Sequence, residues 1–222
     1  MGSIPSESQF GAEFGRTQMV WYTAWQDIYE LPTSGPVAST VYITGNSFHA
    51  SQAANAVFLA DYEPTPSLSA VMSGNTFTID SSCGCYNGPG IAPPGAPVVV
   101  SWYLANIVAS QNRIYGEGTG STSADGIYIT GGPGMVSGNT ITGDNVGVWV
   151  DYANGLHVTG NTILNSATWG IALTDGSSYN SITRNIVYGS GTYDLYWDGS
   201  GTGNVWCGNF YHTSYPSILP SC

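Results

Sequence analysis

What constrains this chain most is an asparagine that recurs in a fixed apolar setting. It is clearest in Met135-Val-Ser-Gly-Asn139-Thr-Ile141, Leu156-His-Val-Thr-Gly-Asn161-Thr-Ile163 and Ser181-Ile-Thr-Arg-Asn185-Ile-Val187. Each time an apolar residue stands three positions before the Asn and another two after it. Asn46, Asn75 and Asn112 extend the register upstream and Asn209 downstream, giving seven such Asn spaced 22 to 37 residues apart. Self-similarity at this period is the signature of a solenoid, in which each repeat buries its apolar face against the next.

The flanking columns decide between strand and helix. Three before each Asn stand Ile43, Met72, Ala109, Val136, Val158, Ile182 and Trp206; two after stand Phe48, Phe77, Ile114, Ile141, Ile163, Val187 and Tyr211. They are mostly β-branched or aromatic, at strand spacing. A second alternating run follows about ten residues after most Asn: Asn55–Leu59, Gly126–Ile129, Val146–Val150, Trp169–Leu173, Tyr193–Trp197 and, less regularly, Val98–Val100. Nothing between the runs has helical period or length, which argues against alternating β and α units. The expected coil is one outward strand plus a bent pair of strands around the Asn. Asn tolerates a left-handed backbone at such a bend. Its amide both donates and accepts, so Asn on successive coils are expected to form an internal ladder.

The Gly-Asn-Thr-Ile coil pattern resembles the right-handed parallel β-helix repeat proteins: pectate lyases, polygalacturonases and NosD-like carbohydrate-binding repeats. The resemblance covers roughly Val41 to Tyr211 and supplies the handedness. The fold expected is an all-β, single-stranded right-handed parallel β-helix of about seven coils, with an Asn ladder and an N-terminal cap. Residues 1–40 read as an irregular or capping segment, 41–211 as the β-helix and 212–222 as a tail.

Within the first segment, Thr17 to Leu31 is open between a capping helix and an irregular first coil; some cover is needed, because a bare coil end is an open sheet edge. The longer coils fall in the N-terminal half, where residues 79–97 hold Cys83, Cys85 and four Pro, and a Gly/Ser/Thr-rich excursion contains Glu117. The spacing of Cys207 and Cys222 suits a disulfide pinning the tail, worth about 3 kcal/mol in the chain-entropy model. Cys83-Gly-Cys85 reads as a strained, reducible bridge or, without a neighbouring His, a poor metal site. Cysteine usage favours an oxidising, extracellular setting.

Charge narrows the partners. There is no Lys, only three Arg, and fourteen acids give a net charge of −11. Such a surface repels nucleic acid and anionic lipid, and no apolar run reaches the ~18 residues of a membrane span.

Alternation assigns one face to binding. Val57/Leu59, Ile127/Ile129, Val148/Val150, Ile171/Leu173 and Leu195/Trp197 point inward, leaving Phe58, Tyr128, Trp149, Ala172 and Tyr196 outward at a coil spacing of about 4.8 Å. Beside that aromatic stripe run Thr130, Asp151, Thr174 and Asp198, with Asp175 one residue on. Rings that stack on pyranose faces, flanked by hydroxyls and carboxylates, suit a neutral or weakly charged polysaccharide; the same pattern also describes a covered face.

The resemblance implies a groove on this sheet but not the family's lyase chemistry, because the basic residue that lyases use is absent. The Gly-His-Gly and Arg-x-Lys motifs of polygalacturonases are also missing, and His49, His157 and His212 lie near the Asn bends, away from the stripe. An Asp-only glycoside hydrolase remains open: Asp151 and Asp198 stand two coils apart, so their backbones are about 9.6 Å apart by strand spacing, compatible with the roughly 6.5–9.5 Å between inverting carboxyls. The same acids also read as a Ca²⁺ site or as solubilising charge. A rival of another class is a structural fibre or adhesin subunit that self-associates end to end through the aromatic-rich termini. Without a Thr-x-Thr array recurring coil after coil, an ice-binding face is disfavoured.

Overall fold

In a computed structural model, residues 13–14, 18–21, 26–30, 39–50, 55–61, 66, 68–79, 99–116 and 125–222 are described. Every regular element among them is a strand, and the strands stack into three parallel sheets of eight, seven and eight. The first sheet holds the strands before each Asn, such as Gly134–Ser137 and Leu156–Thr159; the second holds those after it, such as Thr140–Thr142 and Thr162–Leu164. The third holds the outward runs, including Ile127–Gly131, Val146–Ala153, Trp169–Thr174 and Tyr193–Trp197. The register is constant through the first two sheets: Val136 pairs with Val158 and Ile182, and Ile141 with Ile163 and Val187; in the third it shifts by one between Thr130 and Gly131. Both apolar columns flanking the Asn are fully buried, except Tyr211 at the end of its column.

The Asn ladder runs unbroken from Asn46 to Asn209. At each step the main-chain N–H and the side-chain Nδ2 of one Asn both donate to Oδ1 of the next, at 2.9–3.0 Å from Asn139 to Asn161 and 2.9 Å twice from Asn161 to Asn185. From Asn75 on, the second Nδ2 proton goes to a carbonyl of the coil before, as Asn161 does to Val136 at 2.9 Å. The ladder starts at Asn46, whose Oδ1 is buried without a partner.

The bend itself is not made by the Asn. The left-handed backbone falls on the residue just before it: Gly45, Gly74, Gln111, Gly138, Gly160, Arg184 and Gly208, with φ between 55 and 67°. Glycine holds five of these seven positions because it has no Cβ to strike the following carbonyl.

The chain enters the sheets earlier than residue 41. Glu13–Phe14, Gln18–Trp21 and Gln26–Glu30 add one strand to each sheet, so the described part of Thr17–Leu31 is extended and not a capping helix. Phe14 pairs with Ile43 and Met19 with Phe48. The position three after Phe14 is Thr17, so this segment lacks the Asn that marks the later repeats.

At the other end the tail folds back. Cys207 and Cys222 form a disulfide across 15 residues with Cα atoms 5.8 Å apart, Trp206 N–H donates to Pro220 O at 2.8 Å, and Ser214–Tyr215 adds a last strand to the third sheet. Cys83, Cys85 and Glu117 lie outside the described residues.

Candidate functional site

The outward face of the third sheet begins at a corner. Gly126, Gly147 and Gly170 turn inward there: an added Cβ would lie 2.9, 2.4 and 2.1 Å from the core methyls of Ile141, Ile163 and Val187. Position 148 and its counterparts are inward too, so strict alternation fails by one residue at this corner. Trp169 and Tyr193, just before the inward position, are therefore thrown onto the outer face. The sequence reading assigns Trp169 no side; the small Gly170 next to it is the signal that the strand turns there.

The result is a row of rings along the solenoid axis. Tyr128 meets Trp149 edge to face at 5.5 Å, and Trp149 meets Trp169 likewise at 6.1 Å. Trp169 then stacks on Tyr196 at 4.3 Å, and Tyr196 on Tyr215 of the tail at 5.7 Å. The row has two parts. Trp169, Tyr196 and Tyr215 turn faces to one another, which fastens the last coils together. Trp149 is half-buried, and neither of its neighbours in the row stacks on it.

Burial divides the expected binding residues. Tyr128, Thr130, Ala172 and Thr174 are buried, whereas Trp149 and Tyr196 are half-buried and Asp175 and Asp198 exposed. The side chain of Phe58 lies outside the described set. Thr174 has a positioning role: Trp149 Nε1 donates to its Oγ1 at 2.9 Å, and Oγ1 donates to Asp151 Oδ1 at 2.6 Å. The Tyr128 hydroxyl donates to Asp151 Oδ2 at 2.6 Å. Burial first, then this bond, push the Tyr128 hydroxyl pKa upward.

The three acids do come together. Asp175 shares a hydrogen bond with Asp151, and its main-chain N–H donates to Asp198 Oδ2 at 2.9 Å. The bond to Asp151 first, then the Asp151 charge, burial and Asp198, raise the Asp175 pKa. Asp198 is held by Ser200, whose N–H donates to Oδ1 at 2.8 Å. Asp175 itself sits at φ 52°, the left-handed turn that also exposes Tyr103 and Tyr152 on earlier coils. His157 and His212 are exposed, His212 against Tyr188 at 4.9 Å.

Comparison with known proteins bears on this architecture. The family model described as right handed beta helix region matches residues 33–210. The chain belongs to the right-handed β-helix family. Among curated proteins, the uncharacterized protein YwoF of Bacillus subtilis (strain 168) is 33% identical over 87 residues, a match covering 33% of this chain and 19% of that relative. The match to this β-helix thus spans about a fifth of the relative's length. No solved structure matches. Among the described residues, no group of three or more His, Cys, Asp or Glu side chains is arranged to hold a metal.

Proposed function

We propose that this β-helix binds a neutral or weakly charged polysaccharide on the outer face of its third sheet, centred on Trp149. The observation that carries the reading is the meeting of a half-buried indole, with no ring stacked on it, and a linked row of three carboxyls of which Asp175 and Asp198 face solvent. The indole offers a flat apolar surface for a sugar ring, and the acids accept hydroxyl protons. The exposed Tyr152 extends the surface sideways. An acidic row would repel a polyuronate, which favours an uncharged chain. The disulfide is consistent with an extracellular setting.

A glycan array probed with the wild-type chain and with Trp149→Ala tests this. Binding by the wild type that falls at least tenfold in the variant is the expected result; unchanged binding by the variant, or no wild-type binding to any neutral glycan, overturns it.

One observation favours a hydrolytic version of the same site. Asp175 is held toward its protonated form by Asp151 while facing solvent, as a general acid must be. On any glycan that binds, Asp175→Asn then abolishes release of reducing ends and leaves binding within about threefold. Binding with no release by the wild type makes the site a recognition surface alone.

A further inference from the structure

At the corner between the second and third sheets, two acids lie fully buried beside each other. Asp125 Oδ1 is tied down, accepting from Asn145 Nδ2 at 2.8 Å and from Val146 N–H at 3.1 Å. Its Oδ2 has no partner, and neither has either carboxyl oxygen of Asp144. One coil further on, Ser166 occupies the register position of Asp144, since Thr142 pairs with Leu164 and Ala167 N–H donates to Asp144 O at 2.7 Å. Ser166 Oγ is also buried and unpartnered.

No base balances this pair. Among the described residues, Arg113 and Arg184 are exposed at the Asn bends, and the groups acting on Asp125 and Asp144 include none. As placed, neither oxygen of Asp144 is given a donor, and a proton on it is given no acceptor. Burying such groups without partners costs free energy that a folded chain normally avoids. Three carboxyl oxygens and a hydroxyl oxygen, all buried and unpartnered, with Asp125 fixed through its other oxygen, are the kind of donor a hard cation takes. Two negative charges match a divalent ion. Neither nitrogen nor sulfur donors are present, which disfavours a transition metal.

We infer that Asp125 and Asp144, with Ser166, hold a buried Ca²⁺-type ion that closes the corner between the second and third sheets. The site is separate from the exposed row of Asp151, Asp175 and Asp198, and its role is structural: it ties together the coils that precede and carry that row.

The test is equilibrium dialysis of EGTA-stripped protein against Ca²⁺, with bound metal counted by mass spectrometry and Tm read in parallel. The wild type is expected to take up one ion, and Tm to rise by about 5–10 °C at a hundredfold excess over Kd. Asp144→Ala should lose both the ion and the shift. The Asp175→Asn/Asp198→Asn double variant should keep both. A wild type that binds no ion overturns the inference without need of any variant. So does an ion kept by Asp144→Ala or lost by the double variant, which would put calcium on the exposed row.

Discussion

Two corners of this solenoid turn the chain with opposite chemistry. Between the first and second sheets the buried side chains are Asn, and from Asn75 to Asn185 each amide places both donors and its acceptor on neighbouring Asn or main-chain groups. Between the second and third sheets stand Asp125, Asp144, Ser166 and Ser190, each leaving at least one buried oxygen unpartnered. The difference follows from the groups. An amide carries donor and acceptor at once, so identical copies stacked at strand spacing satisfy one another. A carboxylate only accepts, so a column of acids needs something from outside itself. One corner is self-sufficient; the other is built to take a guest.

Replacing the same kind of position by Ala on the two corners should expose this asymmetry, and the largest effect belongs to the ladder. Asn161→Ala strands the main-chain N–H and one Nδ2 proton of Asn139 and the carbonyl of Val136, all buried. At roughly 1–3 kcal/mol for each group left unmade, with partial relaxation, the cost is about 4 kcal/mol. Urea denaturation reads it as a lower midpoint with unchanged slope. A loss under about 1 kcal/mol would mean that neighbouring coils re-pair around the gap.

Asp194 shows what an acid does at the second corner when it has partners. It accepts from the N–H groups of Ser190 at 3.0 Å, His212 at 2.9 Å and Thr213 at 3.2 Å, and so fastens the tail to the last coils. Burial works to raise its pKa, but these bonds outweigh it and hold the carboxyl below its usual range. A folded pKa below the unfolded one, about 3.9, means that the stabilisation is present above that value and lost as pH falls through the folded pKa. Asp194→Ala should therefore cost about 2 kcal/mol at pH 7 and progressively less as pH falls below about 3.9. Hydrogen exchange at Thr213 and Ser214 reads the loosening directly; equal destabilisation above and below that pH would deny the carboxylate its part.

Asp144→Ala should act in the reverse sense from Asn161→Ala. In EGTA there are no bonds to lose, and removal of two unpartnered buried oxygens should stabilise the chain by about 1 kcal/mol. In excess Ca²⁺ the wild type should become the more stable of the two. Thermal melts in both buffers read the crossing of order, and a variant less stable than wild type in EGTA would show that the acid has a partner of its own.

These corners differ as sharply in how far the sequence reveals them. The Asn ladder was legible because one residue type recurs in one register, and so were the three-strand coil and the inward columns from Val57 to Leu195. The second corner was not, because its column reads Asp144, Ser166, Ser190 and shares only the property of being polar. A shorter Asn pair at the third corner escaped for want of length: Asn180 N–H and Nδ2 donate to Asn204 Oδ1 at 3.0 and 3.1 Å, with no further copy to show a period. On the candidate face, counting residues sets Asp151, Asp175 and Asp198 on neighbouring coils, and Asp175 N–H meets Asp198 Oδ2. Burial of Tyr128, Thr130 and Thr174 was not foreseen, since alternation gives the side a residue faces but not what lies over it. Trp169 was missed because alternation assumes a straight strand, and Gly170 marks where the strand turns.

The smallest effect separates the ladder from the bend it accompanies. Asn was expected to take the left-handed conformation, but Gly160 takes it at φ 64° and Arg184 at φ 55°. A Cβ added at Gly160 would meet nothing within 4 Å, so Gly160→Ala changes backbone strain and chain entropy without a clash. The left-handed penalty of roughly 1–2 kcal/mol is offset in part by the lower unfolded-state entropy of Ala, about 0.4–1 kcal/mol, leaving a loss of about 1 kcal/mol. Arg184→Gly runs the same exchange backwards and should gain slightly less, since the guanidinium is exposed and its loss leaves no buried group bare. Paired urea melts of the two variants should thus move in opposite directions by similar small amounts. If both destabilise, the residue before the Asn contributes more than its backbone angle, and the bend and the ladder are not separable parts of the coil.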